Sequence, residues 1–202
     1  MKLHTNRTGA NCRRVAIYLA EKGLAIEAVH LDLSSGELKT PAFRAINPAG
    51  LVPVLELDDG SYLPESTAII EYLEELHPEP CLIGTTPRHR AHVRAIERIA
   101  SDLGVLTIAA MQHTHPYFAA RLKQEPSVGA ALQGLVDQHL TTLERHIGDF
   151  PFLAGEWLTI ADIVLFPLFQ TCRERMGVPF GAEQPRLSAW YDRFAKRPSA
   201  QY

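Results

Sequence analysis

The amino-acid sequence predicts two domains, a small α/β domain followed by an all-helical one. The chain has 202 residues, enough for one larger domain or two small ones. Short β-like runs alternate with helical runs before about residue 78, and almost everything after it has helical periodicity. Three prolines and a glycine interrupt HPEPCLIGTTP, a composition typical of a linker. We therefore predict domains at 1–77 and 88–202, with a linker at 78–87.

The first domain is predicted to contain four strands and three helices in the order βαβαββα. The strands are Lys2–Thr5, Ala25–Leu33, Gly50–Leu57 and Ser61–Leu63, and the helices are Cys12–Lys22, Pro41–Ile46 and Ser66–Leu76. A helix between the first two strands implies that they are parallel, whereas the tight turn at 58–60 implies an antiparallel pair. The sheet is therefore predicted to be mixed.

The second domain reads as four principal helices. They are expected at roughly 88–112, 127–147, 160–175 and 185–196. Thr159 precedes the apolar run IVLFPLF and Asp162 follows three residues later, which is the spacing of a capping box. We interpret this pair as a structural helix cap.

Composition and charge exclude several classes of protein. With 46% hydrophobic residues and a net charge of −3, the chain gives no reason to expect nucleic acid or a membrane surface as a partner. No apolar run approaches the ~18 residues that a membrane span needs, and the N-terminus does not resemble a signal peptide. The three cysteines are widely spaced, which favours a reducing, cytoplasmic location. His113 and His115 lack further ligands at a suitable spacing, so no metal is predicted.

A proline interrupts the apolar run GLVPVLEL, where a strand would need a backbone N–H group. Two interpretations remain open. A cis Val52–Pro53 bond, which costs only ~0.5–1 kcal/mol relative to trans, would leave the main chain of Val52 available to an extended ligand. Alternatively, Pro53 lies in an edge strand and blocks aggregation.

Glu65 and Ser66 stand at the start of a predicted helix. The free N–H groups and positive end of a helix favour a carboxylate, to which Ser66 could also donate its hydroxyl. The acidic side chain of Glu65 could hold an ammonium group. An ordinary N-cap explains the same two residues.

Several separated motifs, in the same order, resemble the cytosolic glutathione transferases. The segment at 47–78, NPAGLVPVLELDDGSYLPESTAIIEYLEELHP, closely resembles their glutathione-binding half. RRVAIYLAEKGL at 13–24 is similar to the first helix of the family, and FLAGEWLTIADIVLFPLF at 152–169 to the core of its helical domain. YDRFAKRPS resembles the usual C-terminal end. The resemblance covers the whole chain.

The resemblance implies a thioredoxin-like domain, a helical domain, a homodimer and glutathione as co-substrate without a metal. Val52, before a cis Pro53, would bond the cysteinyl backbone. Glu65 and Ser66 would hold the γ-glutamyl end, and Lys39 would approach the glycyl carboxylate. Where the family often has a Gln or Lys before the Val-Pro pair, this chain has Leu51.

The catalytic position departs from the family pattern. Alignment on the first helix places Gly9 where the family usually has a Ser or Cys. Asn11 is the first candidate donor to the thiol, because it resembles the asparagine of the nu-type, disulfide-reductase-like transferases, and Thr8 is the second. Cys12 could instead form a mixed disulfide, although a lone Cys is more often buried.

The resemblance implies a transferase acting in detoxification on a small hydrophobic electrophile, or on a disulfide or peroxide. Met111, His115 and Tyr117 are candidates for the electrophile pocket, and ordinary helix packing explains them equally well. Because Gly9 has no activating side chain, a non-catalytic glutathione-binding or protein-interaction module is the alternative.

Overall fold

The structure, a computed structural model, describes residues 1–201. They form two compact units, one of residues 1–82 with 195–201 and the other of residues 83–194. The predicted helical domain, 88–202, ends at a residue outside the described ones. The domain boundaries stay a prediction, because compactness does not show which segments fold by themselves.

The first unit is built around a four-stranded mixed sheet, as predicted. Its elements are β1 (Lys2–Thr5), α1 (Ala10–Lys22), β2 (Glu27–His30), α2 (Pro41–Ile46), β3 (Val54–Glu56), β4 (Tyr62–Pro64) and α3 (Ser66–Leu76). The strand order is β2-β1-β3-β4. β1 pairs in parallel with β2 and antiparallel with β3, which pairs antiparallel with β4.

Helices cover both faces of the sheet because side chains alternate along each strand. Leu3 pairs with Leu55, and α1 and α3 pack together on the face to which these two residues point. Val54 points to the opposite face, where it packs with Leu31 and with Phe43 of α2. The short α2 therefore covers the part of that face nearest the start of β3.

β2 and β3 are shorter than the sequence predicted, whereas β1 has the predicted bounds. β3 begins at Val54 instead of residue 50, because Pro53 has no N–H for the ladder. β2 ends at His30, before a turn in which the Asp32 carboxylate accepts hydrogen bonds from the N–H and hydroxyl of Ser34. α1 begins earlier than expected, at Ala10, and ends as predicted at Lys22, where Gly23 follows in the left-handed conformation.

The second unit is built from helices joined by loops. Its helices are α4 (Pro87–Thr114), α5 (Pro116–Ala119), α6 (Pro126–Ile147), α7 (Ile160–Gln170) and α8 (Pro185–Phe194), and α7 continues into a π-helical turn at Thr171–Arg175. The predicted helix at 160–175 is thus divided, because the N–H of Met176 bonds the carbonyl of Thr171 five residues earlier. Among residues 1–201, no helix has the length and apolarity required to cross a bilayer.

The predicted capping box at the start of α7 is confirmed. The Asp162 carboxylate accepts hydrogen bonds from the N–H of Thr159 (2.9 Å), the N–H of Leu153 (2.9 Å) and the indole N–H of Trp190 (2.8 Å). Burial is the largest influence on this carboxyl and raises its pKa to about 6, although these hydrogen bonds act in the opposite direction. Asp162 is therefore a structural residue that joins the start of α7 to α8.

Candidate active site

Strand register brings several predicted site residues to one end of the sheet. His4, near the end of β1, pairs with Val54 at the start of β3, which in turn pairs with Pro64 at the end of β4. The segments that follow β1 and β4, and the one that precedes β3, therefore emerge at the same end. These segments carry residues 6–11, 65–66 and 52–53.

The segment before β3 is held by a compact turn. The Val52–Pro53 peptide bond is cis, Pro53 is buried and Val52 is half-buried. Pairing of β3 begins at Val54, so the main chain of Val52 lies outside the ladder. A Cβ atom at Gly50 would lie 2.7 Å from the carbonyl oxygen of Leu38, and its φ is +65°, so a larger residue would not fit.

Glu65 has a strained backbone at the start of α3. Its φ is 74°, which is unusual for a residue with a side chain and costs on the order of 1–3 kcal/mol. Its side chain is exposed, whereas Ser66 is buried. The first turn of α3 has neither an acidic residue nor a side-chain cap, so its N–H groups favour an incoming carboxylate.

The first turn of α1, like that of α3, has neither a side-chain cap nor an acidic residue. Gly9 is the N-cap, so no side chain caps the helix. Asn11 is exposed in that turn. Cys12 is buried, and burial is the main cause that raises the pKa of its thiol. A buried, protonated thiol is a poor partner for a mixed disulfide, which argues against that role for Cys12.

Thr8 is engaged by a residue that the sequence did not single out. Its hydroxyl donates to Oδ1 of Asn6 (2.6 Å), and its N–H donates to the same oxygen (2.7 Å). The N–H of Gly9 also donates to this oxygen (3.1 Å), while Nδ2 of Asn6 donates to the carbonyl of Leu31 (2.8 Å). The Asn-x-Thr spacing of an Asx turn was a signal that could have identified Asn6.

Lys39 is exposed in a short 3₁₀ helix, Glu37–Lys39, that lies between β2 and α2. Because β2 runs parallel to β1, the chain leaves β2 at the sheet end that carries the other candidates. Lys39 therefore lies in the segment that leaves the sheet at that end. Its exposure leaves the ammonium group accessible to an anionic ligand.

A buried polar cluster fixes α1 against α3. Nζ of Lys22 lies 2.8 Å from Oε2 of Glu74, which also accepts a hydrogen bond from the hydroxyl of Tyr18 (2.9 Å). Burial, and then Glu74, raise the pKa of Tyr18, so its phenol stays protonated. The helices whose N-termini lie at the candidate site are thus joined near their other ends.

The candidate pocket residues Met111, His115 and Tyr117 belong to the second unit. Met111 is buried, whereas Tyr117 is exposed and its hydroxyl accepts a hydrogen bond from Arg121 (2.9 Å). Nδ1 of His115 accepts from the N–H of Tyr117, and Nε2 lies 3.0 Å from the carbonyl of Met176. Because a carbonyl only accepts, these partners fix the Nε2–H tautomer of His115. Within the described part of the chain, no group of three or more His, Cys, Asp or Glu residues could hold a metal ion.

Comparison with known sequences assigns the family. The chain matches the family profile "Glutathione S-transferase, N-terminal domain" over residues 3–81 and "Glutathione S-transferase, C-terminal domain" over residues 90–193. It therefore belongs to the glutathione S-transferase family. The family resemblance and the α/β-plus-helical fold class predicted from the sequence are thereby confirmed.

Individual relatives are similar over almost their whole length. Maleylacetoacetate isomerase of Pseudomonas aeruginosa is 35% identical, covering 98% of this chain and 93% of that protein. A glutathione S-transferase domain-containing protein of Marinobacter aquaeolei has a TM-score of 0.85 and 33% identity, covering 98% of this chain and 99% of that one. A glutathione S-transferase of Methylobacillus flagellatus, solved with glutathione bound, has a TM-score of 0.86 and 25% identity, covering 99% and 96%.

Proposed function

We propose that this protein is a glutathione transferase that binds glutathione at the end of the sheet described above. It would ionise the glutathione thiol for attack on a small hydrophobic electrophile or a disulfide. The observation that carries the proposal is the strand register, which brings the Val52 segment, Glu65 and the uncapped start of α1 to the same end of the sheet. The glutathione-bound relative of similar fold supports the choice of ligand.

Each end of glutathione has a proposed partner. The unpaired main chain of Val52, before Pro53, would bond the cysteinyl backbone as an added strand does. Glu65 would hold the γ-glutamyl ammonium, while Ser66 and the N–H groups of α3 would hold its carboxylate. Lys39 would approach the glycyl carboxylate, to which Leu51 offers no polar group.

Thiol activation requires more than the helix dipole. A free thiol of pKa ~8.5 is largely protonated at neutral pH, and lowering that pKa by two units needs ~2.7 kcal/mol of preferential thiolate stabilisation. The N-terminus of α1 would supply about 0.3–1 kcal/mol, and one hydrogen bond to the sulfur about 1.5–3 kcal/mol. The amide of exposed Asn11 is the proposed donor. Thr8 is the weaker candidate, because its hydroxyl already donates to Asn6.

The proposed reactions follow from the thiolate. In conjugation, sulfur forms a bond to an electrophilic carbon and the leaving group departs with its electron pair. In disulfide reduction, sulfur attacks one sulfur of the substrate, which forms a mixed disulfide and releases a thiolate. The 35% identical isomerase makes isomerisation of an activated double bond, by reversible thiolate addition, a second candidate.

The proposed contacts to the electrophile are Met111, His115 and Tyr117. The proposed assembly is a homodimer, and the proposed role is detoxification in the cytoplasm. Sedimentation measures the assembly directly: a species of twice the 22.5 kDa chain mass is expected. A single species at the mass of one chain would contradict the dimer.

The decisive experiment measures the pKa of the bound glutathione thiol from thiolate absorbance against pH. We expect a pKa one to two units below that of free glutathione, and Asn11→Ala to raise it again by about 1 unit, the loss of one hydrogen bond to a charged group. Turnover is followed in parallel with 1-chloro-2,4-dinitrobenzene and with hydroxyethyl disulfide.

Two outcomes would contradict the proposal in different ways. Tight glutathione binding with an unshifted thiol pKa would favour the non-catalytic binding module. Absence of binding would contradict the assignment of the site itself, and so would thermal stabilisation by glutathione that Glu65→Gln and Ser66→Ala leave unchanged.

A further inference from the structure

Asn6 organises the loop that leads into α1. Its carboxamide oxygen accepts hydrogen bonds from the N–H of Thr8, the hydroxyl of Thr8 and the N–H of Gly9, and its amide group donates to the carbonyl of Leu31 at the end of β2. One half-buried side chain thus fixes the loop to the neighbouring strand. The last residue that it fixes, Gly9, is the N-cap of α1.

The same local motif occurs twice more in the first unit, with a different residue. Asp32 accepts from the N–H and hydroxyl of Ser34, and Asp59 accepts from the N–H and hydroxyl of Ser61. In both cases the hydrogen bonds from the serine lower the pKa of the carboxyl, so each aspartate is ionised at neutral pH. Asn6 makes the equivalent contacts without a charge.

We propose that Asn6 is a positioning residue for thiol activation: it holds the start of α1 open toward the glutathione sulfur and does so as a neutral group. This inference rests on the proposed function. An aspartate would accept from the same N–H and hydroxyl donors, although it could not donate to the carbonyl of Leu31. It would also place a negative charge beside a site that must stabilise a thiolate, and two like charges in proximity raise the pKa of the acid.

The test separates charge from geometry with three variants. Asn6→Asp keeps the acceptor for Thr8 and Gly9, loses the donor to Leu31 and adds a charge. Asn6→Ser keeps a shorter acceptor, also loses that donor and remains neutral. Asp59→Ala removes the equivalent motif from the β3–β4 turn, which lies at the opposite end of the strands, and serves as the matched control.

The pKa of the glutathione thiol is measured in each complex, together with the Kd of S-methylglutathione, which lacks an ionisable thiol. We expect Asn6→Asp to raise the thiol pKa by about one unit, the size expected for one charge at an intermediate distance in a partly solvated site. Asn6→Ser should raise it less, and Asp59→Ala should leave it unchanged. The Kd of S-methylglutathione should change less than threefold throughout.

Two results would overturn the inference. If the parent protein lowers the thiol pKa and Asn6→Asp lowers it equally, the neutrality of Asn6 is irrelevant and only this inference fails. If the parent protein binds glutathione without lowering the thiol pKa, the proposed function fails and this inference fails with it. Thermal unfolding of each variant shows whether a shift reflects the loop or loss of the fold. If Asn6→Asp does not fold, an unchanged thiol pKa in Asn6→Ser would overturn the positioning role.

Discussion

At the scale of single residues, Gly9 offers the sharpest test of how this site works. Its φ of −71° and ψ of 130° are accessible to any residue, and a Cβ atom there would lie 3.6 Å from Sγ of Cys12, an ordinary contact. Gly9→Ser should therefore fold normally. The new hydroxyl would stand at the N-cap, where we expect it to donate to the glutathione sulfur and lower the thiol pKa by about 1–2 units.

Gly9→Ala is the matched control for that substitution, since it adds the Cβ atom without a donor. Thiolate absorbance against pH and the rate with 1-chloro-2,4-dinitrobenzene measure both variants. A thiol pKa that falls equally in the serine and alanine variants would show that the hydroxyl is not the donor. A serine hydroxyl at this position would then not stabilise the thiolate.

The sequence predicted some of the candidate site residues and missed Asn6. The Val-Pro pair and the Glu-Ser pair carry strong local signals, because a proline in a strand and an acid at a helix start are unusual in themselves. Asn6 carries only the Asx-turn spacing, which occurs at ordinary surface turns as well. Its proposed role also depends on the hydrogen bond to the carbonyl of Leu31, a contact across 25 positions that no local pattern records.

At the scale of elements, most helices were predicted to within a few residues, but α5 was not predicted, and β2 and β3 were predicted too long. Helix periodicity and caps are local properties, and the Thr159–Asp162 box was found from spacing alone. Strand length depends on which backbone groups find partners on neighbouring strands. The division of the predicted helix at residue 171 depends on five-residue hydrogen bonding in the following turn, which no sequence period predicts.

The N-terminus of α7 makes a testable prediction about pH. The pKa of Asp162 is raised from 3.8 to about 6, so the folded protein binds this proton more tightly than the unfolded chain. Its contribution is therefore fully present below about pH 4 and is lost as pH rises through 6. We expect the free energy of unfolding of the parent minus that of Asp162→Asn to fall by roughly 2 kcal/mol between pH 4 and 7.

Tryptophan fluorescence is a suitable probe for this prediction, because both tryptophans lie in the second unit and the indole of Trp190 bonds Asp162 directly. Asp149→Asn, which removes a fully exposed carboxylate from the same unit, is the control. A difference for Asp162→Asn that stays constant with pH would show that its carboxyl titrates alike in the folded and unfolded states.

At the scale of the whole molecule, the chain returns to its first unit after completing the second. Residues 195–201 group with the first unit, and Arg197 donates two hydrogen bonds to the carboxylate of Glu21 in α1 (2.7 and 2.8 Å). The hydroxyl of Ser199 donates to the same carboxylate. The sequence predicted one helix through 185–196, because nothing in its periodicity marks the end of α8 at Phe194.

The stabilisation that Glu21 gains from Arg197 and Ser199 should depend on pH in the sense opposite to that of Asp162. Burial raises the pKa of Glu21, but the hydrogen bonds from Arg197 and Ser199 outweigh burial, so its pKa is lowered overall from 4.5. Its contribution is therefore present above pH 4.5 and is lost as pH falls below it. We expect Glu21→Gln to cost about 1–2 kcal/mol at pH 7, a value reduced by the partial exposure of Arg197, and progressively less in acid.

Hydrogen exchange of α1 and residues 195–201 measures this cost where fluorescence does not, because the first unit contains no tryptophan among its described residues. Asp102→Asn, which breaks an exposed pair with Arg98 within α4, is the control and should cost less than about 0.5 kcal/mol. If Glu21→Gln leaves exchange in both segments unchanged at pH 7, the returning chain is held by packing and not by this ion pair. If exchange rises in residues 195–201 alone, the pair anchors the returning chain but adds nothing to the stability of α1, whose start carries the proposed thiolate site.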